Sequence, residues 1–66
     1  MFIDSHNEDA GHVTLELEPG EVMSTYGLKK FFDDNGIPWN RSPLYAGIRV
    51  VKVDYSGKYC YVDVEY

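Results

Sequence analysis

Two runs of alternating apolar residues, 48–54 and 59–66, flank Tyr55-Ser56-Gly57-Lys58, and this C-terminal stretch constrains the fold most. Alternation with a period of two marks half-buried strands, and glycine in so short a connection predicts a tight hairpin. Pairing Asp54 with Tyr59 sets the rest of the ladder. One face then carries Arg49/Val64, Val51/Val62 and Val53/Cys60. The other carries Ile48/Glu65, Val50/Asp63, Lys52/Tyr61 and Asp54/Tyr59. A slip of one residue would exchange every side chain between the faces, so the valine-rich face selects this register.

That valine face needs a cover, and the middle of the chain supplies one. Leu28, Phe31 and Phe32 stand at i, i+3 and i+4, which places them on one side of a helix. Ser24 or Thr25 can cap its start through a side-chain oxygen. Asn35-Gly36-Ile37-Pro38 stops it, with Gly36 at C′ and Ile37 packing back on Phe32. On the outer side, Lys29/Asp33 and Lys30/Asp34 are spaced i, i+4, each pair contributing a few tenths of a kcal/mol at most. Asp33 and Asp34 oppose the helix dipole and gain nothing locally, so they suit solvent or a cationic partner.

Upstream, Val13, Leu15 and Leu17 alternate with Thr14, Glu16 and Glu18, a further half-buried strand that Pro19-Gly20 ends. Residues 1–3 make a small edge strand at most, and 4–12 read as a loop or a wide hairpin connection. Residues 39–47 read as a loop that exposes Trp39 and Tyr45. Asn40-Arg41-Ser42 within it fits a glycosylation acceptor, but Pro43 follows directly and we discount it. The order is β-α-β-β. It predicts one α+β domain over 1–66: a three-stranded, mostly antiparallel sheet with a helix packed on one face. Residues 1–12 form a partly flexible polar, acidic segment in this reading, and 13–66 the folded core.

Length sets the energetic frame. A chain of 66 residues buries only about 60% of its unfolded surface, which leaves a marginal core. An aromatic share of 15% still argues for folding, because each ring brings a large apolar area. The net charge of −5 is uneven: residues 1–21 hold six acidic and no basic side chains, whereas 22–66 hold five acidic and six basic. A segment of −6 thus precedes a body of +1. General binding to duplex DNA is excluded by such a balance, since phosphate contacts need clustered Lys and Arg.

Chemistry is sparse along the chain. Cys60 is the single cysteine, so an internal disulfide is impossible, and a thiol facing the core is inert. His6 and His12 lie apart from it in the N-terminal segment, and neither phosphate-cradling glycine motif is present. His6, Glu8, Asp9 and His12 are a thin basis for zinc without thiolates or regular spacing. Asp33-Asp34-Asn35-Gly36 lacks the glycine position and the bidentate Glu of a calcium loop. Neither a metal nor a cofactor is expected. Tyr59, Tyr61 and Lys52 share the open sheet face as in a base-stacking platform, but Asp54, Asp63 and Glu65 there would repel a nucleic-acid backbone. No apolar run reaches a membrane span and no signal pattern opens the sequence, so the expected setting is cytoplasmic, without membrane contact.

Protein contact remains. Six tyrosines and a tryptophan exceed what so small a core encloses, and such rings anchor interfaces. The expectation is a non-enzymatic protein that binds a protein partner with a basic surface. Its contact residues are Glu16, Glu18, Asp33, Asp34, Trp39, Tyr59, Tyr61, Asp63 and Glu65. Small phage-encoded anti-defence proteins, anti-CRISPR inhibitors included, share this size and character. The concrete expectation is therefore an inhibitor that blocks the basic groove of a nucleic-acid-handling protein by steric cover. The alternative is a small homodimeric structural or assembly subunit that pairs through a sheet edge or its tyrosine face.

Overall fold

Val13, Leu15 and Leu17 form the spine of the molecule. In a computed structural model that describes residues 1–39 and 47–66, all three are buried on the strand β2 (His12–Leu17). They share one face with Val62 and Val64 of β4 (Tyr59–Glu65), because β2 and β4 pair antiparallel with Val13 opposite Val64 and Leu15 opposite Val62. The helix α1 (Thr25–Asp34) lays Leu28 and Phe32 on that face, and Phe31 packs half-buried at its side. Its ends follow the expected chemistry. Ser24 is the N-cap, with Oγ accepting from the Gly27 N–H at 3.0 Å. At the other end the Gly36 N–H donates to Asp33 O and the Ile37 N–H to Phe32 O, with Gly36 at φ 68. This is the paired bonding of a Schellman cap, and Ile37 is buried in the same cluster as Phe32.

The architecture is α+β with one helix on one face of an antiparallel sheet, but the sheet has four strands, not three. Its order is β1-β2-β4-β3, so the two central strands carry the buried cluster and the two edge strands flank it. The added strand is β1 (Phe2–Asn7), which pairs with β2 and extends the small edge strand expected at most over 1–3 into the segment read as a loop or a wide hairpin connection. All six of its residues are exposed, which is why no buried-strand pattern marks it in the sequence. A bulge between Ile3 and Ser5 interrupts its register at Asp4.

The C-terminal hairpin forms, in a different register. Ser56 pairs with Tyr59, so the turn is the two residues Gly57-Lys58 and the ladder shifts by two. Val53 stands opposite Val62 and Tyr55 opposite Cys60, where Val51/Val62 and Val53/Cys60 were expected. A shift of two preserves the faces. A bulge between Val50 and Lys52 then adds one residue, which brings Val50 opposite Val64 and moves Arg49 to the open face opposite Glu65. The helix covers β2 and β4 instead of reaching β3 (Arg49–Ser56), whose eight residues are all exposed. Val51 and Val53, expected in the core, are 50% and 40% exposed. Of the loop expected over 39–47, residues 40–46, with Tyr45, lie outside the described residues.

The last residue closes one end of the core. Tyr66 is buried, donates its N–H to Gly11 O at 2.9 Å, and sets its ring edge-on to Phe32 at 5.5 Å. Its hydroxyl is hydrogen-bonded to His6 Nε2, which ties β1 to the C-terminal end of β4.

Candidate functional site

Because β2 and β4 turn their apolar residues toward the helix, their alternate residues form an open face. Across the strand order, Asn7, His12, Glu65 and Arg49 make one row, and Ser5, Thr14, Asp63 and Lys52 the next. Phe2, Glu16, Tyr61 and Asp54 make a third. Tyr59 follows along β4, its ring 6.4 Å from that of Tyr61, with Lys58 Nζ 5.5 Å above it. The face therefore mixes aromatic area with carboxylates, as the alternation predicts.

The carboxylates on it are not equivalent. Glu65 accepts from Arg49 at 2.5 Å, and Asp63 accepts from the Thr14 hydroxyl at 2.6 Å. Both have partners within the sheet. Glu16 and Asp54 flank Tyr61 from the neighbouring strands, and neither is in an ion pair among the described residues. Asp4, at the bulge of β1, adds its charge to the same phenol. Desolvation first, then the charges of Glu16 and Asp4 and the neighbouring Tyr59, push the Tyr61 phenol above the ordinary tyrosine range. A negative field centred on a half-buried tyrosine is the result.

The remaining expected contact residues lie elsewhere. Asp33, Asp34 and Trp39 sit on the helix side, on the opposite side of the sheet from Tyr59 and Tyr61. Trp39 Nε1 donates to Asp33 at 2.7 Å, Lys29 Nζ lies 5.0 Å over the Trp39 ring, and Lys30 pairs with Asp34 at 3.0 Å. Of the two expected i, i+4 pairs, Lys30/Asp34 forms, and Trp39 takes the place of Lys29 at Asp33. Both carboxylates are thus matched within the chain. Glu18 follows the end of β2 and lines a groove on the core side with Leu17, Met23, Val53, Tyr55 and Cys60, about 310 Å³ in volume. The nine residues fall on three surfaces: Glu16, Tyr59, Tyr61, Asp63 and Glu65 share the open face, Asp33, Asp34 and Trp39 the helix side, and Glu18 lines the groove.

Sequence reasoning missed Asp4 and gave Asp54 no role in partner contact. Asp4 was hidden in an apparent loop, whereas Asp54 was already on the open face in the expected hairpin and was set against nucleic acid only.

The polar groups suited to chemistry are separated. The alternation puts His12 on the open face, while His6 pairs with Val13 on the core side and meets Tyr66. Among the described residues, no group of three or more His, Cys, Asp and Glu is arranged to hold a metal ion. Cys60 is half-buried on the groove wall. Among the described residues, no helix is long and apolar enough to cross a membrane. No family model, no curated protein and no solved structure matches this chain.

Proposed function

We propose that this chain is a non-enzymatic, cytoplasmic protein-binding protein that inhibits a nucleic-acid-handling protein, in the manner of small phage anti-defence proteins. The open sheet face is the contact surface and a basic groove is its target. One observation carries the reading: Asp4, Glu16 and Asp54 surround Tyr61 with no ion pair to a described cation. A half-buried ring within a negative field suits a surface of Arg and Lys, which stack on tyrosine and pair with carboxylates. Tyr59 extends the aromatic area, while Asp63 and Glu65, already bonded, keep the face rigid. Trp39, Asp33 and Asp34 stand on the other side and take no part in this contact.

The test is capture from host lysate, followed by reconstitution with the purified partner. The partner should bind DNA or RNA, compete with that nucleic acid for this chain, and dissociate near 1 M salt, where screening acts within about 3 Å. Glu16→Lys should weaken the reconstituted complex at least about tenfold by placing a like charge against the basic surface. A partner without nucleic-acid binding, or a complex indifferent to both salt and Glu16→Lys, overturns the proposal. A second reading, the homodimeric subunit, draws on a different surface, the exposed edge of β3.

A further inference from the structure

We infer that β3 is a self-pairing edge: two copies of this chain join β3 to β3 antiparallel about a two-fold axis at Val53, making one continuous eight-stranded sheet. The inference rests on the homodimer reading and deepens it by naming the strand, the register and the residues. Among the described residues β3 has a free side, since it is terminal in the order β1-β2-β4-β3 and its described pairing is with β4. Alternate backbone N–H and C=O groups of an edge strand point outward and unpaired, which is the usual template for adding a strand. Its side chains offer more than backbone. Val51, Val53 and Tyr55 follow one another on the core side at 50%, 40% and 78% exposure, beyond the reach of the helix.

Charge chooses the partner and the register. Joining two sheets about a two-fold axis keeps core side against core side, so only residues of like face can lie opposite one another. Centred on Val53, Lys52 faces the partner's Asp54 and Asp54 faces the partner's Lys52, while Val51 meets the partner's Tyr55. Centred one step away on the open face, the same strand sets Lys52 against Lys52 or Asp54 against Asp54. The sequence Val51-Lys52-Val53-Asp54-Tyr55 is thus complementary to itself in one register. Lysine on an edge ordinarily deters pairing. Here Asp54 two residues on supplies its counter-charge, so the deterrent acts against the registers centred on Lys52 or on Asp54. The bulge of β3 lies at Val51 and leaves 52–56 regular, so the two Lys52–Asp54 pairs are on regular backbone and the Val51–Tyr55 contact is at the bulge. The opposite edge lacks these properties: β1 is bulged at its own charge, Asp4, and has no basic Lys or Arg to complement it.

Sedimentation of the whole chain between about 10 μM and about 1 mM, a span suited to a weak interface, tests the pairing. A concentration-dependent dimer is expected. Asp54→Lys sets lysine against lysine twice and should raise the dimer Kd about tenfold. Lys52→Asp should do the same, and the exchange Lys52→Asp with Asp54→Lys should restore the dimer. Lys52 also faces Asp63 across the hairpin, so thermal unfolding is followed for each variant. Recovery in the exchange is independent of any loss of Tm. A strict monomer throughout overturns both the pairing and the homodimer reading. A dimer unmoved by Asp54→Lys, or not recovered by the exchange, overturns the β3 pairing and places the contact on another surface.

Discussion

At the scale of single residues, Tyr61 reports on the candidate site. Its environment opposes ionisation, through desolvation and then Glu16 and Asp4. Its folded-state pKa lies above the ordinary 10.0, so the folded protein holds that proton when the unfolded chain has lost it. The stabilising contribution is full below pH 10 and is lost as pH rises through the raised folded value. Tyrosine ring carbon shifts followed by NMR through the alkaline range should show Tyr61 titrating above 10.0. Glu16→Gln and Asp4→Asn should each bring it down, because each removes a negative charge while leaving the ring in place. Titration unmoved by both variants would assign the shift to desolvation alone and remove the negative field on which partner contact rests. Glu16 and Tyr61 stand opposite each other on the two central strands, which sets the carboxylate charge beside the phenol.

At the scale of elements, legibility in the sequence follows burial. β2 was readable because Val13, Leu15 and Leu17 alternate against polar neighbours, and central strands with one wet face produce that pattern. The helix was readable through Ser24, the Leu28/Phe31/Phe32 spacing and Gly36, each a local signal with a local cause. β1 was not, since a strand exposed along its whole length has no alternation to show. The hairpin was half readable. Its faces survive a shift of two, yet no sequence rule distinguishes a two-residue turn at Gly57-Lys58 from a longer one, or finds the bulge at Val51. The open face therefore emerged from the alternation, while its neighbours across the strands did not. The connections themselves can be tested. Gly11, at the β1–β2 turn, has φ 63, and a Cβ there would lie 2.8 Å from the Tyr66 carbonyl oxygen. Gly36 has φ 68, with nothing within 4 Å of its added Cβ. Gly36→Ala should cost about 1–2 kcal/mol, the price of a left-handed conformation alone. Gly11→Ala adds a backbone collision and should cost about 2–4 kcal/mol. Urea midpoints of the two variants measure the difference. Equal losses would mean that the Gly11–Tyr66 contact does not hold the sheet end closed.

At the scale of the whole molecule, apolar burial is concentrated away from one side of the sheet. The buried cluster joins β2, β4 and α1 with Ile37 and Tyr66, whereas β3 contributes no buried residue and β1 none. Local stability follows the density of buried apolar contacts, so opening free energy should be graded across the strand order. Amide hydrogen exchange on dilute protein is the measurement. Val13, Leu15, Val62 and Val64 should exchange only through global unfolding, slowest of all, because their strands are hydrogen-bonded on both sides and covered by Phe32 and Leu28. Amides of β3 should exchange faster, through a local opening that leaves β2 and β4 paired. β1 should fall between the two sets at its C-terminal end, where His6 is fastened to Tyr66, and near β3 at Phe2. The ordering decides how the functional surface is built. If β3 is as protected as β4 in dilute solution, the hairpin is a rigid extension of the core and Asp54 is fixed beside Tyr61. If β3 opens alone, Glu16 and Tyr61 stay in place on the central strands while Asp54 moves. A partner would then recognise chiefly the two central strands, and loss of Asp54 should affect binding less than loss of Glu16.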